Sequence, residues 1–279
     1  MAAAVARLRP SASARADAGR LLEAILERNS AWLLAHGEEE LDATLATRFE
    51  SAVARRAAGF PLAYILGAWW FFGRRFEITR DVLVPRPETE QLVELAIAFL
   101  RLQPEPAVFW DVGTGSGALA ITLACELANA RGVASDTSAA ALAVAERNAA
   151  DQNVSERLTF VEADLASDAV AARAPFACIV ANLPYVPTRE LPMPPDPTSF
   201  EPRAALDGGL DGLALYRRLL AAAPRLLAPR AAMFLEAGPG TVPLLAELAR
   251  EILGSAAIEI HADYAAQARV VSVNVGHLE

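Results

Sequence analysis

The chain contains no lysine: all 25 of its basic residues are arginine. This excludes a Schiff-base lysine and the phosphate-gripping lysine of a P-loop. Histidine is almost as scarce, with His36, His261 and His277 far apart and without ligand spacing. The two cysteines, Cys125 and Cys178, sit in apolar runs and form no CxxC pair. No metal site is expected, and the cysteines read as buried thiols of a reducing cytosol. No apolar run is long and charge-free enough to span a membrane. Met1–Val5 does not open a basic region followed by an apolar core, so a soluble, cytoplasmic protein is expected. Positive charge is short where a nucleic acid would need it. Residues 1–84 hold 11 arginines against 10 acids, whereas residues 85–279 hold 14 against 24. Sequence-independent nucleic-acid binding draws on a basic surface, so the larger segment argues against a DNA or RNA substrate.

What is present is a chain of 279 residues, enough for one large domain or a small and a medium one. At this size about three quarters of the unfolded surface is buried, with no disulfide or metal needed. Residues 1–57 read as helices. Leu21, Leu22, Ile25 and Leu26 share one face, and Leu41, Leu45, Phe49 and Val53 recur at helical spacing. Residues 60–84 are aromatic and predict a β-hairpin turning at Gly73-Arg74-Arg75, with Trp69 to Phe72 as a buried inter-domain seam in preference to a binding patch. From about residue 85 strands alternate with helices. Strands are predicted near 107–112, 131–135, 157–161, 176–181, 230–236, 256–261 and 269–275. Helices are predicted at 89–101, 117–129, 138–150, 213–228 and 241–253. Such alternation implies a mostly parallel sheet covered on both faces. The last two strands, joined without a helix, form an antiparallel pair.

The first strand of this series, Val108–Val112, runs into Gly113-Thr114-Gly115-Ser116-Gly117 and then a helix. Glycines let a chain turn sharply and let a ligand approach a helix N-terminus. Asp136 ends the second strand, placed to accept hydrogen bonds from ribose hydroxyls, and Asp164 follows the third, offering another acceptor along the same edge. All follow strands and so line the carboxyl edge, where ligands bind in such folds. Gly113-x-Gly115-x-x-Ala118 also satisfies the dinucleotide fingerprint, so NAD and S-adenosylmethionine readings overlap. Asp111, two residues before the first glycine and able to meet a cationic amino-acid group, favours the second. So does Asp164.

A further stretch favours it again. The apolar run Ala177–Ala181 ends at Asn182-Leu183-Pro184-Tyr185. Proline fixes its own φ and biases the preceding residue towards extended geometry, so this corner is stiff. It can hold the Asn182 amide oxygen and the Leu183 carbonyl as a fork of two acceptors, which suits a planar –NH₂ group. The plainer alternative is a proline-rich connection with Asn182 as a turn residue.

Together these residues resemble the class I S-adenosylmethionine-dependent methyltransferases, and more narrowly the release-factor glutamine N5-methyltransferases. Three stretches carry the narrow resemblance: Pro85-Arg86-Pro87-Glu88-Thr89-Glu90, Asn182-Leu183-Pro184-Tyr185, and Phe200-Glu201-Pro202-Arg203 continuing to Leu213. The second departs from the family's Asn-Pro-Pro-Tyr at Leu183. Asn-Leu-Pro-Tyr is also carried by the ribosomal-RNA adenine dimethyltransferases, which are the alternative, alongside a module that binds cofactor without turnover.

The resemblance implies an α/β fold: a seven-stranded, mostly parallel Rossmann-like methyltransferase sheet with an antiparallel last strand, behind a small helical domain and a β-hairpin linker. The implied divisions are 1–66 for a substrate-recognition domain, 67–84 for the hairpin and 85–279 for the methyltransferase domain. S-adenosylmethionine would lie on Asp111, Gly113, Thr114, Gly115, Ser116, Gly117, Asp136, Asp164, Leu165 and Asn182, leaving as S-adenosylhomocysteine. Catalysis would fall to Asn182, Leu183, Pro184 and Tyr185, with the Tyr185 ring on the planar amide and Leu83 on the opposite wall. The implied partner is a class 1 peptide-chain release factor, with no nucleic acid, no membrane and a monomeric enzyme.

Overall fold

The computed structural model describes residues 1–8, 13–254 and 256–276; His277 lies outside them. The chain divides into two compact units, Met1–Ala68 with Pro192–Phe200, and Trp69–Leu191 with Glu201–Glu279.

The smaller unit is helical: α1 (Ala2–Arg7), α2 (Ala14–Leu26), α3 (Ser30–Ala35), α4 (Ala43–Ala57) and α5 (Leu62–Leu66). Asp42 caps α4 by accepting the N–H groups of Thr44 and Leu45, at 2.8 and 2.9 Å, which satisfies two donors a helix start leaves open. Phe49 and Val53 are buried as expected, but α2 turns a different face inward. Ala14, Ala18 and Leu21 are buried while Leu22, Ile25 and Leu26 are half-buried. Asp17 enters with this face because Arg56 pairs with it at 2.8 Å. Within the same unit Phe200 meets Phe60 edge-on, ring centroids 5.3 Å apart.

The hairpin comprises β1 (Ala68–Phe71) and β2 (Arg74–Glu77), all but Ala68 in the larger unit, and is shorter than predicted. Leu62–Leu66 forms one helical turn, bounded by Pro61 and by Gly67 in a left-handed conformation. The hairpin turns at Phe72 and Gly73, both at positive φ. This is the geometry a two-residue connection needs to match strand twist, so Arg74 and Arg75 lie in the strand. The aromatics alternate, Phe71 being buried and Trp70 59% exposed, so they are not a uniform seam.

The main sheet contains β3 (Val108–Val112), β4 (Arg131–Asp136), β5 (Leu158–Glu162), β6 (Phe176–Ala181), β7 (Leu227–Glu236), β8 (Ala257–Ala262) and β9 (Ala268–Val275). Their order is β5-β4-β3-β6-β7-β9-β8. β9 runs antiparallel to both neighbours, and the other pairings are parallel. The expected fold class stands. The unit's helices are α6 (Thr89–Leu100), α7 (Ala118–Glu126), α8 (Ala139–Asp151), α9 (Asp168–Ala171), α10 (Ala214–Ala222) and α11 (Val242–Leu253). Two helices end sooner than predicted. α7 stops at Glu126, where the Arg157 guanidinium takes up the carbonyls of Ala124 and Leu127. α10 gives way to a 3₁₀ turn at Ala223–Arg225, and β7 starts at Leu227. Trp110 is wholly buried in the core, its indole N–H donating to Ser135 at 2.8 Å. Strand order reverses beside β3, with β4 on one side and β6 on the other. The carboxyl ends of β3, β4 and β6 therefore open a crevice at the switch point.

Candidate active site

That crevice is a cavity of about 660 Å³, within the range of small-molecule sites. Its wall includes Gly113, Thr114, Gly115, Ser116, Asp136, Asp164, Leu165, Asn182, Leu183 and Pro184 of the predicted residues, and Leu83. Asp111, Gly117 and Tyr185 are not on it.

The glycine loop is held from behind. Gly113 and Thr114 donate their N–H groups to the Ser135 carbonyl, at 2.8 and 2.9 Å. Asp136 braces the loop further, accepting Gly115 N–H at 2.9 Å and Ser138 N–H at 3.0 Å. Each carboxylate oxygen can accept twice, so Asp136 retains capacity for a ligand. Gly117 instead serves packing at the start of α7. Its φ is +81°, and a Cβ there would lie 2.7 Å from Ile121 and 3.1 Å from Ala145 of α8.

Asp111 lies behind the loop, wholly buried. One oxygen accepts the Thr114 hydroxyl at 2.6 Å and Ala120 N–H at 3.1 Å, while Oδ1 meets no partner among the described residues. Its position is that of a brace for the loop. Burial raises its carboxyl from the ordinary value to about 7, against the opposing Thr114 and Ala120 hydrogen bonds. An acid that holds its proton more tightly when folded favours folding at low pH, and loses that contribution as pH rises to about 7. Asp111→Asn keeps an acceptor for both hydrogen bonds and removes the buried charge. The variant is expected to melt a few degrees higher than wild type at pH 8 and no higher at pH 4, as thermal denaturation at the two pH values would read.

Asp164 stands at the rim, paired with Arg218 at 2.7 Å, both side chains more than half exposed. Such a pair contributes about 0–1 kcal/mol, so it is easily parted. Leu165 holds a left-handed backbone (φ +48°) while its side chain is buried in the core, a combination uncommon outside functional sites.

At the corner, the Asn182 Nδ2 donates to the Thr89 hydroxyl at 3.1 Å, and the Leu183 N–H donates to the Tyr216 hydroxyl at 3.0 Å. Leu183 is buried. Tyr185 packs near Gly238, whose added Cβ would sit 3.4 Å from its ring, and burial foremost raises its hydroxyl to about 12. Its ring was expected over the planar amide; its residue is half-buried and does not line the cavity.

The loop 206–214 runs alongside. Val186 N–H reaches the Leu206 carbonyl at 3.0 Å, Gly208 N–H the Val186 carbonyl at 2.9 Å, and Thr188 N–H the Gly209 carbonyl at 2.8 Å. The fit leaves no room for side chains at two positions. A Cβ on Gly208 would lie 2.7 Å from the Pro184 carbonyl oxygen, and one on Gly212 would collide with the Tyr185 carbonyl. Glu201, in the third characteristic stretch, ties it to the first: its buried carboxylate accepts Arg86 at 2.6 Å and Val84 N–H at 3.3 Å.

Thr89, Arg86 and Glu201 thus hold the site from within stretches already singled out, although no role was read for them. Tyr216 carries no local motif; only tertiary approach brings it to the corner. Among the described residues no group of histidine, cysteine or acidic side chains is arranged to hold a metal, and no helix is long and apolar enough to cross a membrane.

Known proteins match this arrangement. A family model described as PrmC N-terminal domain matches residues 1–67, and another, described as Methyltransferase domain, matches residues 109–193. The release factor glutamine methyltransferase of Moorella thermoacetica is 42% identical over 238 residues, covering 85% of this chain and 83% of its own length. That of Cereibacter sphaeroides is 40% identical over 277 residues, covering 98% and 96%. The crystal structure of ribosomal protein L11 methylase from Lactobacillus delbrueckii subsp. bulgaricus shares the fold at 20% identity, with a TM-score of 0.51 over 72% of this chain and 84% of that one. Sheet order, glycine loop and matching domain define a methyltransferase, and the dinucleotide reading of the loop gives way. At 40% identity over nearly the whole chain, the protein belongs to the release factor glutamine methyltransferase family.

Proposed function

We propose that the enzyme transfers a methyl group from S-adenosylmethionine to the side-chain amide nitrogen, N5, of the glutamine in the Gly-Gly-Gln loop of class 1 peptide-chain release factors. The observation that carries this reading is the corner itself. Asn182 and Leu183 both line the cavity, and Asn182 is held through its amide nitrogen, which leaves Oδ1 to act as an acceptor together with the Leu183 carbonyl. The names of the relatives supply the release factor as partner.

The residues present fit the cofactor. The cavity has the volume for a nucleoside with an amino-acid tail, and a Cβ on Gly115 would meet nothing within 4 Å, so the backbone is open to a close ligand. Asp136 would hold the ribose, Leu165 the adenine, with Gly113, Thr114, Ser116 and Asp164 along the same edge, while Asp111 and Gly117 support the loop from behind. Bound S-adenosylmethionine supplies an electrophilic methyl carbon. Asn182 Oδ1 and the Leu183 carbonyl accept the two N–H bonds of the substrate amide and aim its nitrogen. As positive charge develops on that nitrogen both hydrogen bonds strengthen, so they stabilise the transition state more than the ground state. No strong base is needed first, because the nitrogen becomes acidic once alkylated. Pro184 stiffens the fork. Residues 1–66 would recognise the release factor, 67–84 link, and 85–279 catalyse, in the cytoplasm where termination occurs.

The test is transfer of labelled methyl to purified release factor, to its Gln→Ala variant in the Gly-Gly-Gln loop, and to small-subunit ribosomal RNA. Label on the release factor alone supports the proposal. Label on the RNA alone would replace it with the adenine reading. Asp136→Ala is expected to weaken S-adenosylmethionine binding about 10–100-fold, since hydrogen bonds to a charged group contribute about 1.5–3 kcal/mol. Calorimetric titration checks this, with kcat at saturation falling far less.

A further inference from the structure

We infer that Glu236 sets the hydrogen-bond polarity of both arms of the Asn182–Leu183 fork, its carboxylate acting through Thr89 and its backbone carbonyl through Tyr216. This deepens the proposed function and rests on it for the identity of the methyl acceptor.

Glu236 is the last residue of β7 and is 1% exposed. Its carboxylate accepts the hydroxyl of Thr89, the first residue of α6, itself buried. A hydroxyl has one hydrogen to give. Once that hydrogen is on Glu236, Thr89 Oγ1 can only accept from Asn182, so Asn182 must present its –NH₂ and not its oxygen. The amide oxygen is then turned away from Thr89, as an acceptor for substrate. The orientation follows from the proton count and does not depend on distinguishing the amide oxygen from its nitrogen.

The second arm obeys the same logic. The Tyr216 hydroxyl gives its hydrogen to the Glu236 backbone carbonyl in a short contact, whereas the Leu183 carbonyl is 3.4 Å away. With its hydrogen spent, the Tyr216 oxygen accepts the Leu183 N–H at 3.0 Å. The Leu183 carbonyl is left for substrate. This arm needs an N–H at residue 183, which leucine has and proline lacks. The departure from Asn-Pro-Pro-Tyr therefore adds a tether to the corner.

A buried carboxylate with an oxygen, here Oε2, that meets no partner among the described residues costs stability, and the polarity it imposes gives that cost a use. The ionisable and charged groups acting on Glu236 are Arg269 from β9, Arg86 and Glu88 ahead of α6, and the Tyr185 and Tyr216 hydroxyls. Burial foremost raises the Glu236 carboxyl to about 7. Once protonated, Glu236 can donate to Thr89, and the direction of the first arm is no longer forced. Turnover should fall as pH drops through this range.

Thr89→Val, Thr89→Ser and Glu236→Gln test the inference. Thr89 and Glu236 are positioning residues, so the variants are compared in kcat, KM for release factor, cofactor affinity and melting temperature. Thr89→Val is expected to lower kcat at least 10-fold with cofactor affinity within about twofold, and Thr89→Ser to restore it. Glu236→Gln is expected to lower kcat about 10-fold without lowering the melting temperature, and to flatten the acid limb of the kcat profile. A side-chain amide NMR signal assigned to Asn182 should exchange with solvent faster in Thr89→Val than in wild type. That arm requires no methyl acceptor, so it separates failure of this inference from failure of the release-factor reading. Wild-type kcat in Thr89→Val, no rescue by serine, or unchanged amide exchange would overturn it.

Discussion

Asn182→Ala is expected to lower kcat by about 10²–10³-fold, the loss seen when one preorganised hydrogen-bonding group is removed from around a developing charge. The physical reason is the poor nucleophilicity of a primary amide, whose lone pair is delocalised into its carbonyl. In the proposed mechanism two acceptors draw on its N–H bonds and aim the nitrogen, and alanine removes one of them. Thr89 and the rest of the cavity lining remain in place. Cofactor affinity by calorimetry should stay within about twofold, and KM for release factor should change less than kcat, since the lost interaction belongs chiefly to the transition state. Near-full turnover in this variant would mean that the fork does not activate the amide.

Gly212→Ala is expected to destabilise the protein by about 3–4 kcal/mol, combining the roughly 1–2 kcal/mol cost of a left-handed non-glycine residue with a forced displacement. Here φ is +78° and the added Cβ collides with the Tyr185 carbonyl. That contact is backbone against backbone, so no flexible side chain can swing aside. The melting temperature should fall roughly 10 °C, and kcat should drop because relief of the collision moves the corner. Gly240→Ala is the control: nothing lies within 4 Å of its added Cβ and no positive φ strains it, so its effect should stay within about 0.5 kcal/mol. Equal melting temperatures for the two variants would show that loop 206–214 does not brace the corner.

The fold was legible where periodicity decides it. Strand–helix alternation gave seven strands, and the helix-free connection between the last two gave their antiparallel pairing. The glycine loop, Asp136, Asp164 and the Asn182 corner were legible because each follows a strand and so reaches one sheet edge. Which atoms face the ligand was not. Asp111, Gly117 and Tyr185 occupy the right stretches yet are not on the cavity wall: Asp111 is committed to Thr114 and Ala120, Gly117 to the packing of α7 on α8, and Tyr185 lies near Gly238. Tyr216 and Glu236 sit in ordinary helix and strand sequence. Their contribution depends on which neighbour takes each hydrogen, and no local pattern records that. The inward face of α2 was misjudged for a related reason: buried Asp17 is tolerated only because Arg56 reaches it from another helix.

The placement of β9 between β7 and β8 bears on how the enzyme comes into being on the ribosome. β9 is synthesised after every other strand, yet it supplies one of the two ladders that enclose β7. Until it emerges, β7 is an edge strand with a row of unpaired backbone groups, and Glu236 at its end lacks the neighbouring wall. The Asn182 corner is translated some eighty residues earlier, yet it cannot be completed until nearly the whole chain has left the exit tunnel. A nascent chain stalled before residue 268 would therefore carry every residue of the corner and remain inactive.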